Sequence, residues 1–187
     1  MAIPDEEFIR GNVPMTKQEI RILTLAKAQV KPGDVVIDIG AGTGSLSIEA
    51  AMIARQVFAV ERNNEAIELI EQNAEKFGVD NIIIINAEAP NGLEGISKID
   101  TAIIGGSGGN LTNILDTIDR RLKSGGRIVI NCITIQTLSE TLEYFKNHDN
   151  YKYEAIQVQI NRLNQVGQYD MAKALNPIYI ITAINER

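Results

Sequence analysis

The sequence predicts an α/β fold: a doubly wound, mostly parallel sheet of seven strands with an antiparallel hairpin at its C-terminal edge. Three observations predict it. Short β-branched runs alternate with helical segments over the first 150 residues, which is typical of parallel strands joined by helices. The runs lack strict apolar–polar alternation, so helices are expected on both faces. The first run ends in a glycine-rich turn that opens a helix.

The first predicted element is a helix over about 17–29, introduced by a capping box of Thr16 and Glu19. Strands and helices then alternate, with a loop over about 87–98 before the fourth strand. The strands are expected at 35–39, 57–61, 82–85, 101–104 and 127–133, and the helices at about 44–55, 64–77, 110–123 and 136–147.

The last quarter of the chain contains no convincing helix. Tyr153–Leu163 and Pro177–Asn185 are predicted strands that pair as an antiparallel hairpin, with Asn164–Asn176 as the loop between them. The whole chain, 1–187, is therefore assigned to one domain. Its parts are an N-terminal segment and helix (1–31), a cofactor-binding α/β core (32–150) and the terminal hairpin (151–187).

The composition excludes several kinds of site and partner. One cysteine (Cys132) and one histidine (His148) allow neither an internal disulfide nor a multi-cysteine zinc site, and we expect no metal. A balance of 18 basic and 24 acidic residues disfavours general nucleic-acid binding. No apolar run approaches the ~20 residues of a membrane span, and the acidic N-terminal residues do not form a secretory signal. The expected location is the cytoplasm, with no membrane or nucleic-acid partner.

The turn after the first strand has the pattern of a nucleoside-cofactor site. Its glycines let the backbone turn tightly and approach a ligand, and Glu61, at the end of the next strand, is placed to accept both ribose hydroxyls. A dinucleotide loop would have its third glycine where the chain has Ser45. The pattern D-x-G-x-G-x-G instead matches S-adenosylmethionine-dependent methyltransferases, with Asp38 suited to a cationic amine. The loop residues are Asp38, Gly40, Ala41, Gly42, Thr43 and Gly44. NAD binding and a tight turn without a ligand are the alternatives.

The exit of the third strand, Asn86–Pro90, is expected to border the adenine of such a cofactor. The contact would come from the Glu88 side chain or the Ala89 backbone. The alternative is a polar strand exit that binds nothing.

The exit of the fourth strand carries a second glycine cluster. Methyltransferases that act on amino groups usually have an Asp/Asn-Pro-Pro-aromatic motif here, whereas this chain offers only backbone donors and open space. That suits a bulky, planar, non-basic acceptor, positioned by Gly105, Gly106, Ser107, Gly108 and Gly109. The alternative is a flexible loop.

Five segments together resemble the decarboxylating precorrin C15-methyltransferases of cobalamin biosynthesis. They are Ile3–Phe8, Val13–Lys17, Asp38–Gly44, Ala89-Pro90 and Gly105–Gly109. The resemblance implies the Rossmann-like fold of class I S-adenosylmethionine-dependent methyltransferases, in a stand-alone form typical of the cobalt-early route.

The resemblance also implies two reactions on one tetrapyrrole. A methyl group passes from S-adenosylmethionine to C15, and the C12 acetate loses carbon dioxide. It places Thr16, Gly40–Gly44, Glu61 and Ala89 at the cofactor, with Glu88 standing where the family often has Asp. It further implies a homo-oligomer, with a tetramer as the expected number, and the apolar alternation of Ile156, Val158 and Ile160 agrees with a covered edge strand.

The acceptor carries several carboxylates, so an acidic protein must gather cations at the mouth of the pocket. The candidates are Arg10, Lys17, Arg21, Arg162 and Lys173. For each of them a solvated surface charge is the alternative. Two other functions stay open at this point: a methyltransferase that acts on RNA or protein, and a non-catalytic nucleoside-binding module.

Overall fold

The computed structural model describes residues 2–187, in which a seven-stranded sheet lies between helices; Met1 lies outside the described residues. In chain order the elements are α1 Gln18–Ala28, β1 Val35–Ile39, α2 Ser45–Ala51, β2 Gln56–Glu61, α3 Asn64–Phe77, β3 Ile82–Asn86, β4 Ile99–Ile104, α4 Leu111–Asp119, β5 Leu122–Cys132, α5 Ile135–Lys146, β6 Tyr151–Val158, β7 Asn161–Val166, β8 Tyr169–Ala174 and β9 Ile178–Asn185. A short 3₁₀ helix, Asp5–Glu7, precedes them.

The strand order of the sheet is β3-β2-β1-β4-β5-β9-β6. The first five strands in that order are parallel, and β9 lies antiparallel between β5 and β6. The predicted fold class is therefore confirmed. The direction of winding reverses between β1 and β4, and in open α/β sheets a crevice for ligands forms at the carboxyl ends of the strands at such a point.

Two helices are shorter than the sequence predicts. The helix expected to reach residue 123 ends at Asp119, because Leu122 already pairs with Ile99 as the first residue of β5. The helix expected to reach residue 55 ends at Ala51, because the backbone N–H groups of Arg55 and Gln56 turn back to the carbonyl of Asp34. The prediction of α3 is confirmed to the residue, with Gly78 ending it in the left-handed conformation.

The C-terminal region corrects one prediction. β6 and β9 pair antiparallel as expected, but the segment predicted as a loop forms most of a second hairpin, in which β7 pairs with β8 from Asn161↔Ala174 to Val166↔Tyr169. All residues of β7 and β8 are exposed. Ile156 and Val158 of β6 pack against the core cluster beneath α1, so the apolar face of that edge strand is partly covered by the chain itself.

The N-terminal segment is fastened across the carboxyl ends of the strands. Arg21 is fully buried and donates to Glu49 Oε1 at 3.0 Å and to Asp5 Oδ1 at 2.7 Å, as well as to the carbonyls of Ile3 and Thr16. The predicted capping box is wrong: α1 begins at Gln18, whose backbone N–H donates to Asp5 Oδ1 at 2.9 Å. Asp5 therefore accepts the N-terminal hydrogen bond of α1 that was expected of Thr16. We call residues 13–17, which precede this helix and cover the cavity described below, the roof.

None of the helices found in residues 2–187 combines the length and the apolar character that crossing a membrane requires.

Candidate active site

A cavity of about 460 Å³ opens at the carboxyl ends of β1, β2, β4 and β5, beneath residues 13–17. Its volume is in the usual range for small-molecule sites. It is lined by both glycine clusters, by Asp38, Glu61 and Glu88, and by apolar side chains from the roof and from α1. Most of the residues that the sequence assigns to the cofactor and most of the second glycine cluster therefore line one cavity.

The two glycine clusters touch each other. A Cβ at Gly40, whose φ is +73°, would lie 2.7–2.9 Å from backbone atoms of Gly106. The N–H groups of Gly105 and Gly106 donate to the carbonyl of Ile39 at 2.9 and 3.3 Å, which holds the second cluster against the end of β1. This close approach requires glycine, since any side chain at position 40 would force the clusters apart.

Not all residues of the first glycine loop line the cavity. Gly40, Ala41 and Gly42 do. Thr43 is buried beneath the wall, and a Cβ at Gly44 would lie 3.0 Å from Ile70 on α3. The last two residues of the motif thus pack the loop onto the fold.

Asp38 supplies a buried carboxylate to the cavity wall. It is 1% exposed, and its Oδ2 accepts a hydrogen bond of 2.6 Å from Ser47 Oγ. Its Oδ1 has no partner within the described chain. The pKa of Asp38 is raised to about 6, chiefly by burial and to a smaller extent by the nearby Glu61 charge, and the hydrogen bond from Ser47 opposes both. A cationic group in the cavity would satisfy this oxygen and stabilise the charged form.

Glu61 both lines the cavity and shapes the glycine loop. Its Oε2 accepts from the Gly42 backbone N–H at 2.9 Å, and its Oε1 accepts from the N–H groups of Arg62 and Asn63 at 2.8 and 2.9 Å. These bonds fix the carboxylate at the wall. Because Oε1 accepts two of these bonds and Oε2 only one, Oε2 keeps a lone pair for a ligand hydroxyl.

Glu88 is paired with a cation that the sequence analysis missed. Arg62 Nη1 lies 2.6 Å from Glu88 Oε1, and both side chains are more than half exposed at the edge of the cavity. Ala89, beside them, is buried. A Cβ at Gly108 would lie 3.3 Å from Glu88 Oε1, so this glycine stands next to the pair.

The rest of the second cluster borders open space. A Cβ at Gly106 would meet nothing closer than the Cα of Gly40 at 4.0 Å among the described atoms. Gly105, Gly106, Ser107 and Gly108 line both the main cavity and an adjoining one of about 240 Å³, and Gly109 lines the adjoining one.

The structure separates the five predicted cations. Lys17 lines the cavity. The prediction that Arg21 binds the substrate is wrong. Its guanidinium is enclosed by Asp5, Glu49 and two carbonyls, so it anchors the roof and cannot reach a ligand. Arg10, Arg162 and Lys173 are exposed and stand outside the lining of both cavities, and Arg162 Nη2 lies 2.9 Å from Glu19 Oε1.

Several lining residues escaped the sequence analysis. Met15, Ile20, Ile133 and Ile178 provide apolar wall, and Asn131 provides a buried amide. They come from segments far apart in the chain. The one available signal was a polar residue, Asn131, near the end of a β-branched run. Within residues 2–187, His, Cys, Asp and Glu side chains nowhere gather in groups of three that could hold a metal ion.

The comparisons with known proteins agree with this geometry. Residues 7–185 match the family model described as a precorrin methyltransferase domain. A Salmonella typhimurium protein named cobalt-precorrin-6B C(15)-methyltransferase (decarboxylating) is 39% identical over 185 residues, 97% of this chain and 95% of that one.

Two solved structures are also similar. One is described as a precorrin-6y C5,15-methyltransferase from Geobacter metallireducens, with a TM-score of 0.92, 40% identity and coverage of 99% of this chain and 97% of that one. The other is described as a precorrin 8W decarboxylase from Methanobacterium thermoautotrophicum, with a TM-score of 0.92, 37% identity and coverage of 96% and 98%.

Proposed function

The chain belongs to the precorrin methyltransferase family, and from that premise we propose that it methylates C15 of a cobalt-precorrin and removes the carboxyl group of its C12 acetate in cobalamin biosynthesis. One observation carries the proposal. A single cavity joins a wall of carboxylates at the ends of β1, β2 and β3 to a wall of glycine backbone and apolar side chains at the ends of β4 and β5. We name these walls the cofactor half and the acceptor half.

The cofactor half fits S-adenosylmethionine. The unpartnered Oδ1 of Asp38 suits the ammonium group, Oε2 of Glu61 suits a ribose hydroxyl, and Glu88 with the Ala89 backbone suits the adenine edge. The backbone of Gly40, Ala41 and Gly42 leaves room for the chain between them, and Thr16 closes the site from the roof. When bound, this cofactor supplies a methyl group made electrophilic by its sulfonium.

The acceptor half would position the macrocycle. Gly105–Gly108 line the cavity with no side chain larger than that of Ser107, which leaves space for a ring. The near-attack distance for such a displacement is about 3–3.5 Å, so holding the carbon in place is the main requirement. Apolar walls withdraw water from the acetate that reacts. When its C–C bond breaks, carbon dioxide leaves and the electron pair enters the conjugated ring, which needs no further electron sink.

The remaining carboxylates of the macrocycle require cations. Lys17, the basic residue of the roof, lines the cavity and could pair with one of them. Arg10, Arg162 and Lys173 stand outside the lining of both cavities, and we propose them as outer contacts of the macrocycle, screened by salt more than the cofactor contacts.

Mass spectrometry of a cobalt-precorrin incubated with protein and S-adenosylmethionine tests this function. The product should gain one methyl group and lose one carbon dioxide, and a reaction without the cofactor should not gain the methyl. An unchanged tetrapyrrole, together with transfer of label from the cofactor to structured RNA or to a protein, would contradict it.

We also propose that the protein is cytoplasmic and forms a homo-oligomer, with a tetramer as the expected number and the β7–β8 hairpin as one of its interfaces. An isolated two-stranded hairpin is marginally stable in water, yet this one places Val166, Tyr169 and Met171 on one exposed face. A second copy would cover these side chains at the turn end of the hairpin, while Arg162 and Lys173, at the other end of the same face, would stay open to the substrate. Light scattering should show a species heavier than 20.5 kDa.

A paired variant sharpens the oligomer test. Tyr169→Asp with Met171→Asp should shift the mass towards that of one chain, whereas Gln165→Asp, on the opposite face of the hairpin, should not. A wild-type protein that is monomeric at micromolar concentration would contradict the assembly.

A further inference from the structure

We propose that Asn131 is a substrate-binding residue whose side-chain amide donates a hydrogen bond to a carboxylate of the tetrapyrrole acceptor. This inference rests on the proposed function and deepens it, because it assigns a residue of the acceptor half to a particular group of the substrate.

The observation behind it is an amide left incomplete. Asn131 is 7% exposed at the end of β5, and its Oδ1 accepts a hydrogen bond of 3.0 Å from Thr24 Oγ1 on α1. Its Nδ2 is buried and finds no partner anywhere in residues 2–187. The residue lines both the main cavity and the adjoining one. Buried donors without partners are rare in proteins, and one that faces a cavity is suited to a ligand.

The position of Asn131 separates it from the cofactor half. Ile130 pairs with Ile104 and Ile104 pairs with Ile39, so Asn131 stands level with the second glycine cluster and two strands away from β1. Two strand spacings amount to about 10 Å. That is more than the distance between the ammonium and the carboxylate of one amino acid, so a cofactor held at Asp38 would not occupy the Asn131 amide as well.

The chemistry of the donor selects the group that it binds. Because Thr24 occupies Oδ1, the part of the amide without a partner is its NH₂ group, and the cavity beside Asn131 is also lined by the apolar side chains of Ile133 and Ile178. A precorrin offers carboxylates around its ring, and a hydrogen bond to an ionised acceptor is stronger than a neutral one, particularly where water is excluded.

The test uses Asn131→Asp, which keeps the size of the side chain and an oxygen for Thr24 but replaces the donor by an anion. We expect kcat/KM for the cobalt-precorrin to fall at least a hundredfold, chiefly through KM, while the Kd for S-adenosylmethionine stays within about threefold. Thr182→Val is the matched control. Thr182, like Asn131, has a buried polar group without a partner in the described chain, in this case a hydroxyl, and it lies on the same face of the sheet but outside both cavity linings. Loss of that hydroxyl should leave turnover within twofold.

If Asn131→Asp folds poorly, Asn131→Leu is the second variant. It removes the acceptor of the Thr24 hydroxyl, but that hydroxyl can donate instead to a backbone carbonyl of its own helix. Asn131→Leu should lose about tenfold or more in kcat/KM. Wild-type turnover in either folded variant, or an equal loss of cofactor affinity, would overturn the assignment of Asn131. A wild-type protein that leaves the cobalt-precorrin unchanged would instead overturn the proposed function, and the acceptor assigned to Asn131 with it.

Discussion

The cofactor half of the cavity carries three carboxylates, whereas the glycine backbone, apolar side chains and one amide form the acceptor half. The difference follows the chemistry that we propose for each ligand. A cofactor with an ammonium group and a ribose is held through fixed hydrogen bonds, while a flat ring needs space at its face and charges only at its fringe. The sheet separates the two because β2 and β3 lie on one side of β1, and β4 and β5 lie on the other.

The largest expected effect comes from breaking the contact that joins the halves. Gly40→Ala should abolish cofactor binding and turnover together, because its Cβ would collide with the Gly106 backbone. It should also lower the free energy of unfolding by about 2 kcal/mol more than Gly125→Ala does. Gly125 is the matched control, since its φ is +72° against +73° and a Cβ there meets nothing within 4 Å in the described structure. Equal melting temperatures for the two variants would contradict the clash.

Gly106→Leu should separate the halves. Its side chain would enter open space in the acceptor half, so turnover of the tetrapyrrole should fall at least a hundredfold while the cofactor Kd stays within a few-fold. Gly108→Leu would not separate the halves, because Gly108 stands against Glu88 and Arg62, so that variant should weaken cofactor binding as well. A Gly106→Leu enzyme with normal turnover would reduce the second cluster to a flexible turn.

Glu61→Gln tests the cofactor half alone. The variant keeps the size of the side chain but loses its charge, and its NH₂ group must face either the Gly42 N–H or the N–H groups of Arg62 and Asn63. Cofactor affinity should therefore fall at least tenfold by calorimetry. Glu65→Gln is the control, because Glu65 accepts from the Asn12 backbone N–H and stands outside the cavity lining. Unchanged affinity in Glu61→Gln would remove this residue from the site.

The protonation of Asp38 should have the smallest effect on cofactor affinity near neutral pH, but it should make that affinity depend on pH. Its pKa in the free protein is about 6, and an ammonium ligand would lower it, so cofactor affinity should be constant well above pH 6 and fall by up to tenfold per unit below it. A flat affinity profile between pH 5 and 7 would contradict the ammonium contact.

The raised pKa of Asp38 also affects the free energy of unfolding. Because the pKa of Asp38 in the folded state lies above the 3.8 of a solvent-exposed aspartate, the folded state binds more protons than the unfolded state. The contribution to stability is therefore lost as pH rises from about 4 to 6. At pH 7 Asp38→Asn should therefore be more stable than wild type, by up to about 3 kcal/mol, in chemical denaturation. A difference that does not shrink towards pH 4 would contradict this cause.

The central elements could be predicted from the sequence because their signals are local. β-branched runs mark the parallel strands, and Gly78 marks the end of α3. The β7–β8 hairpin gave no such signal, because strands whose residues are all exposed lack the apolar pattern that identifies a strand. Helix length was overestimated where a following strand pairs early, as at Leu122.

For the candidate site the limit was distance along the chain. The first glycine loop is contiguous, so its motif could be recognised whole. Arg21 shows what a sequence hides, since its buried partner Glu49 lies 28 positions away and nothing in the charge itself indicates burial. Asn131 is recognisable as a cavity residue only after β5 has been placed beside β4.

The insertion of β9 between β5 and β6 has a consequence for the order in which the chain is made. Within residues 2–187, β6 pairs with no strand of the sheet other than β9, so it cannot join the sheet until the later strand has been synthesised. At about 5–20 residues per second, the 45 residues between Cys132 and Ile178 keep the edge of β5 open for roughly 2–9 s. An apolar strand edge exposed for that time can pair with another nascent chain, so a ribosome-bound chain stopped before residue 178 should be the form most dependent on chaperones.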